Sequence, residues 1–144
     1  MQHALAEANR AAEQGEVPVG AIVVVQGQIV GRGHNRRESL QDPMGHAELV
    51  AISEACKLLN TWRLPKSTLY VTLEPCPMCA GAILQARIER VVFGCRDRKA
   101  GAVRSLFALL EDPRLNHRVD VIEGILEEDC SLLLSDFFKK IRSS

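Results

Sequence analysis

No stretch of this chain is apolar over anything near the ~20 residues that a membrane helix needs. Its first residues, Met1-Gln2-His3-Ala4-Leu5, lack the charged and apolar regions of a secretory signal, so the expected address is cytoplasmic with no membrane partner. Neither sign of charge is in excess: 18 Lys+Arg stand against 18 Asp+Glu. The total therefore says nothing about nucleic acid, whose binding needs a local basic patch. Disulfide scaffolding has no support either. The cysteines, Cys56, Cys76, Cys79, Cys95 and Cys130, are odd in number and lie in no secretory context. Repeats, low-complexity tracts and linkers are absent too. The whole of residues 1–144 reads as a single domain, long enough to bury a core without staples.

What is present is the composition of an ordinary globular protein, 47% hydrophobic and 25% charged. A helix is expected over about Gln2 to Gln14, closed by Gly15, then a buried β-branched strand from Val19 to Val25. Gln26-Gly27 turns the chain into a second strand, Gln28 to Gly33, making an antiparallel hairpin. After a polar loop from His34 to Met44, a helix from about Gly45 to Leu59 carries Leu49, Ile52, Cys56 and Leu59 as its apolar stripe. Thr68 to Leu73 and Arg90 to Gly94 read as strands on either side of a short helix, Pro77 to Arg87. A helix near Arg104 to Leu110, a strand near Val119 to Glu123 and a last helix from Glu127 to Ile141 complete the pattern. In that last helix Cys130, Leu133, Leu134, Phe137 and Ile141 are expected to face inward. Strands separated by helices run parallel with right-handed crossovers. The expected fold is α/β, a three-layer α-β-α sandwich on a mixed five-stranded sheet.

Two short motifs carry chemistry: Gly45-His46-Ala47-Glu48 and Glu74-Pro75-Cys76-Pro77-Met78-Cys79. Each opens a predicted helix. Cysteines at i and i+3 share a helix face, and Pro77 suits the first helical position. A helix N-terminus favours negative charge, so both thiols are expected to deprotonate readily. His46, Cys76 and Cys79 then form a zinc set, one ion per chain, and no fourth Cys or His stands at ligand spacing. Three protein ligands leave a position for water, the mark of a catalytic site and not a structural one. Glu48 can lean past the helix end towards that water and act as proton carrier. His-x-Glu alone is common by chance. Cys-x-x-Cys alone also suits a redox pair, which leaves His46 without a use.

The combination matches the established pattern of zinc nucleobase deaminases. At these residues the chain resembles the cytidine-deaminase-like superfamily and, within it, the bacterial tRNA-specific adenosine deaminases. The resemblance extends through Glu16-Val17-Pro18-Val19-Gly20-Ala21, Gly33-His34-Asn35-Arg36, Val91-Val92-Phe93-Gly94, Asn116-His117-Arg118 and Leu134-Ser135-Asp136-Phe137-Phe138. It implies hydrolysis of adenosine to inosine at the wobble position of a tRNA, the arginine tRNA with an ACG anticodon, by zinc-bound hydroxide with Glu48 as proton shuttle. It also implies a homodimer acting on an anticodon stem-loop. By position, Asn35 and Ala47 would hold the extruded base, Asn116 would lie near the nucleotide, and Phe137 near the loop-binding surface or plainly in the core. Arg36, Arg98 and Lys99 are candidate phosphate contacts, with Arg37, Arg96 and Arg104 in the same loops. Two other readings stay open. One is a deaminase of the same fold acting on free guanine, cytosine or a nucleoside. The other is a non-catalytic zinc-bearing RNA-binding protein, against which the retained Glu48 and the missing fourth ligand argue.

Overall fold

A computed structural model describes residues 1–143. The chain runs α1 (Gln2–Glu13), β1 (Gly20–Val25), β2 (Gln28–His34), α2 (Ala47–Leu59), β3 (Ser67–Leu73), α3 (Pro77–Gln85), β4 (Arg90–Cys95), β5 (Asp120–Glu123) and α4 (Glu127–Ser143). The turn between β1 and β2 has positive φ at both central residues, 51° at Gln26 and 76° at Gly27. Such a turn matches the twist of the strands it joins.

The sheet order is β2-β1-β3-β4-β5. β1 is antiparallel to β2 and β3, while β3, β4 and β5 are parallel, the mixed sheet expected from the alternation of elements. Side chains alternate across it. Ala21, Val23, Leu69, Val71, Val91 and Phe93 all reach one face, where they pack with Ala51 and Ile52 of α2 and Ala80 and Ile83 of α3. On the other face α1 lies over Gly20 and α4 over Gly94, and the two helices touch each other. Three layers result.

Small residues set how closely the helices sit. α2 turns Ala47, Ala51 and Ala55 onto the sheet, all fully buried. Opposite them β2 carries Gly31 and Gly33, where any Cβ would overlap the carbonyl oxygens of Ala51 and Ala47. This corrects the stripe predicted for α2. Ile52 is buried, but Leu49 and Cys56 are only half-buried and Leu59 is 41% exposed. The bulky residues flank the contact because only alanine and glycine fit between helix and strand.

Two further expectations change. The helix predicted near Arg104 to Leu110 is a series of turns ending in a 3-10 turn at Leu109–Glu111. The amide hydrogens of Val103, Arg104 and Ser105 all donate to the Glu74 carboxylate, so this segment makes its hydrogen bonds across the fold and not along itself. In α4, Cys130 is buried against Gly94, and Leu133, Leu134 and Phe137 are half-buried. Ile141 is 54% exposed, because the last turn extends beyond the face that Cys130 anchors.

Candidate active site

The site gathers at one end of the sheet, where β2, β3 and β4 finish and β1, α2 and α3 begin. The antiparallel register sets the start of β1 beside the end of β2, with Gly20 opposite His34, and beside the end of β3, with Ala21 opposite Val71. The parallel register sets Leu73 opposite Cys95. Loops leaving these ends enclose a cavity of about 560 Å³ lined by His46, Glu48, Asn35, Cys76 and Lys99, among others. This is the usual place and size for a ligand site, outside the carboxyl ends of parallel strands.

Two helix N-termini meet there. His46 is the N-cap of α2, in extended conformation (φ −83°, ψ 146°). Cys76 is the N-cap of α3, with Pro77 at the next position. Cys79, one turn into α3, is fully buried. The His46 Nδ1 atom lies 3.6 Å from Cys76 Sγ and 3.5 Å from Cys79 Sγ. A tetrahedral zinc with Zn–N of about 2.0 Å and Zn–S of about 2.3 Å has an N···S edge of about 3.5 Å. Among the described residues the three donor atoms lie within 4.8 Å of one another. Imidazole and thiolate are also the donors that zinc prefers, so the residues fit the ion.

The titrating groups are tightly linked. The Cys79 thiol donating to it, and then His46, hold the Cys76 thiol down at about 4. Cys79 is pushed up by that same hydrogen bond and by burial. Without an ion the second charge would be buried beside the first, so Cys76 ionises ahead of Cys79. His46 is raised, chiefly by its hydrogen bond to Cys76. Glu48 is 4% exposed, and burial raises its carboxyl to about 7.

Asn35 is 8% exposed and lines the cavity. Its Nδ2 donates to the Val17 carbonyl at 3.2 Å, and its Oδ1 accepts the Arg37 amide at 3.1 Å, which fixes the amide's orientation. Ala47, Arg98 and Lys99 also line the cavity. Four other candidates stand elsewhere. Arg36 borders a separate surface groove, and it is Arg37 that reaches the cavity. Asn116 is exposed in the loop before β5, away from the lining. Phe137 packs edge-on against Phe138 at 5.6 Å, and Phe138 with Leu134 forms the wall. Arg104 lines no part of the cavity and pairs with Glu111 and Glu123. Arg96, which does line it, is likewise engaged, donating to Glu123 through Nε and Nη2 at 2.9 Å each. Sequence reasoning passed over Glu74, a buried carboxylate in the wall, because an acidic residue after a strand gives no signal of burial.

Known proteins resemble this chain over nearly its whole length. Residues 1–142 match the family described as MafB19-like deaminase. The chain is 53% identical over 142 residues to a tRNA-specific adenosine deaminase of Bacillus subtilis, covering 99% of this chain and 88% of that one. It is 55% identical over 141 residues to the enzyme of the same description from Aquifex aeolicus, covering 98% and 93%. A solved structure from work on A-to-I editing by tRNA:A34 deaminases at the wobble position superposes with a TM-score of 0.89 and 45% identity, covering 93% of this chain and 97% of that one. The diaminohydroxyphosphoribosylaminopyrimidine deaminase/reductase of Thermotoga maritima gives a TM-score of 0.68 and 32% identity, covering 99% of this chain and 42% of that one. Among the described residues no helix is long and apolar enough to cross a membrane.

Proposed function

The chain belongs to the MafB19-like deaminases, among the tRNA-specific adenosine deaminases, and from that premise we propose that it converts adenosine to inosine at the wobble position of a tRNA, the arginine tRNA with an ACG anticodon in the first instance. The reaction is hydrolytic: a C–O bond forms at the purine carbon bearing the amine, the C–N bond breaks, and ammonia leaves. The observation that carries the reading is the three-donor set at zinc edge lengths, of which His46 and Cys76 line one cavity together with Glu48.

His46, Cys76 and Cys79 would hold the zinc, one per chain. Bound there, the ion would lower the pKa of a water to about 7 and so would supply a nucleophile at neutral pH. Glu48 takes the proton from the attacking water, gives it to the ring nitrogen beside the amine carbon, and serves again for the departing ammonia. A carboxyl held at about 7 is suited to both directions of transfer near neutral pH. Asn35, with both polar atoms already aligned, presents its remaining hydrogen-bonding capacity to the base, and the Ala47 backbone supports it from the start of α2. Arg98 and Lys99 meet phosphates at the rim. A base in an anticodon loop is already partly unstacked, which lowers the free energy of extruding it into the cavity.

We assign a cytoplasmic homodimer. Two features of α3 support a second subunit: Met78 is 38% exposed, and the space beside Gly81 is open. Light scattering at micromolar concentration is expected to give twice the chain mass.

The test is inosine formation on an anticodon stem-loop, compared at one salt concentration with a linear oligonucleotide, free adenosine, guanine and cytosine. Activity confined to the structured loop is expected. Equal turnover of free adenosine, or preference for guanine or cytosine, moves the chain to small-molecule deamination, and zinc binding without turnover moves it to a scaffold role.

A further inference from the structure

Glu74 is 2% exposed and follows directly on β3, two residues before Cys76. Its Oε1 accepts the Asp97 amide at 3.0 Å and the Ser105 hydroxyl at 2.5 Å. Its Oε2 accepts three more amides, Val103 at 3.0 Å, Arg104 at 2.7 Å and Ser105 at 2.9 Å. The backbone adds two ties: the Glu74 amide donates to Cys95 and the Ala102 amide to Pro75, at 2.9 and 2.8 Å. A buried charge is tolerated only when its hydrogen-bonding capacity is filled, and here five donors fill it.

What those donors belong to gives the carboxylate its meaning. Residues 97–105 form one loop, and its outer side, with Arg98 and Lys99, lines the cavity. Arg96 and Arg104 are held by acids, whereas among the described residues neither Arg98 nor Lys99 has an acidic partner. Gly101 completes the arrangement. A Cβ there would overlap the Glu74 carboxylate and lie 2.5 Å from the Asp97 carbonyl oxygen, so the loop closes on Glu74 only without a side chain at this point.

We propose that Glu74 is a positioning residue for the RNA: it anchors the loop so that Arg98 and Lys99 stand where phosphates flanking the extruded base arrive. This role rests on the functional reading above. It makes specificity for structured RNA depend on the same segment that carries Cys76, since one carboxylate ties the two together.

Glu74→Ala leaves four amides without acceptors and invites misfolding, so the informative variants are Glu74→Gln and Gly101→Ala. The second forces the loop and the carboxylate apart while keeping the chemical identity of Glu74 and of the metal ligands. Each is measured for zinc content and for KM and kcat on the stem-loop over a series of salt concentrations. Losing two phosphate contacts should raise KM about tenfold and lower the slope of log KM against log salt by about one to two, with kcat within about twofold and zinc near one per chain. A double-mutant cycle then tests the route. Arg98→Ala with Lys99→Ala should weaken binding in the wild-type background and add little in Gly101→Ala. Full additivity, or loss of kcat and zinc at unchanged KM, overturns the role while leaving the deaminase reading intact. A wild-type chain inactive on every stem-loop overturns the functional reading and this role with it.

Discussion

Gly33→Ala perturbs the site through the depth at which α2 sits on the sheet. The new Cβ would overlap the Ala47 carbonyl oxygen, and it would stand 2.7 Å from the Ala51 nitrogen and 2.9 Å from the Val50 Cβ. Ordinary contact begins near 3.4 Å, and the overlap with the Ala47 carbonyl oxygen is the tightest, so the helix must retreat by roughly 1 Å. Two of the three obstacles are backbone atoms, and no rotamer change relieves them. Ala47 stands between His46 and Glu48, so the retreat passes directly to the proposed metal ligand and the proposed proton carrier. Overpacking of this kind costs about 1–3 kcal/mol, a fall in Tm of about 3–12 °C at this chain length. A misplacement approaching 1 Å costs about 10²-fold in rate. The control is Gly27→Ala. It strains a residue at φ +76° with open space around it, at a cost of about 1 kcal/mol and with no path to the site. Thermal unfolding, zinc content and single-turnover inosine formation, all well below either Tm, separate the two variants. If Gly33→Ala melts like Gly27→Ala and turns over like the wild type, the argument from helix depth is refuted.

Glu48→Gln should keep its zinc and its RNA affinity while kcat falls about 10²- to 10⁴-fold, and near-normal turnover would remove Glu48 from the mechanism. Cys76→Ala should lose the metal and much of the thermal stability together, because ligation is coupled to folding; full occupancy by elemental analysis would end the ligand assignment. Asn35→Ala should lower kcat/KM on the stem-loop by a factor corresponding to about 1–3 kcal/mol, the loss of a buried polar contact, and an unchanged value would move base recognition elsewhere. Glu16 supplies a pH test. Burial pushes its carboxyl up, but hydrogen bonds from Ser39 and Glu38 outweigh that and hold it below its usual 4.5. The resulting stability is present above pH 4.5 and is lost as pH falls through the lower folded value. The urea midpoint of Glu16→Gln should therefore lie below the wild type's at pH 7 and converge on it in acid, whereas a pH-independent gap would contradict this account.

What the sequence made legible was what short-range spacing encodes. Residues at fixed separation along one helix end, Cys76, Pro77 and Cys79, have little freedom to be anywhere else relative to one another. The Gln26-Gly27 turn and the β-branched strands are equally local. What stayed hidden depends on how elements dock. The 3.6-residue period correctly placed Cys130, but Phe137 and Phe138 differ by about 100° around α4, and only the helix's seating decides which of them reaches the cavity wall. Arg36 and Arg37 diverge for a similar reason: neighbouring side chains leave the backbone in different directions. Hydrophobicity also misled in α2, where a reading that follows large apolar residues overlooks a contact built from alanine against glycine.

The buried acids are the sharpest instance. Glu16 and Glu74 look like surface residues, since acidic side chains are rarely buried unless paired, yet they are 1% and 2% exposed. Neither takes a cation as its main partner; both accept backbone amides from a loop that helps enclose the cavity. Glu16 takes Glu38 and Ser39, at 3.2 and 2.5 Å, in the loop between β2 and α2. Glu74 takes four amides in the loop after β4. Loops without secondary structure leave their amides unsatisfied, and water normally supplies the acceptors. Here a carboxylate replaces the water and binds the loop to a second segment, Glu74 to the end of β3 and Glu16 to the connection between α1 and β1. The proposed presentation of a base to a metal calls for such ties in both walls of the cavity. They are obtained without any apolar signature that a reading of hydrophobic pattern would detect.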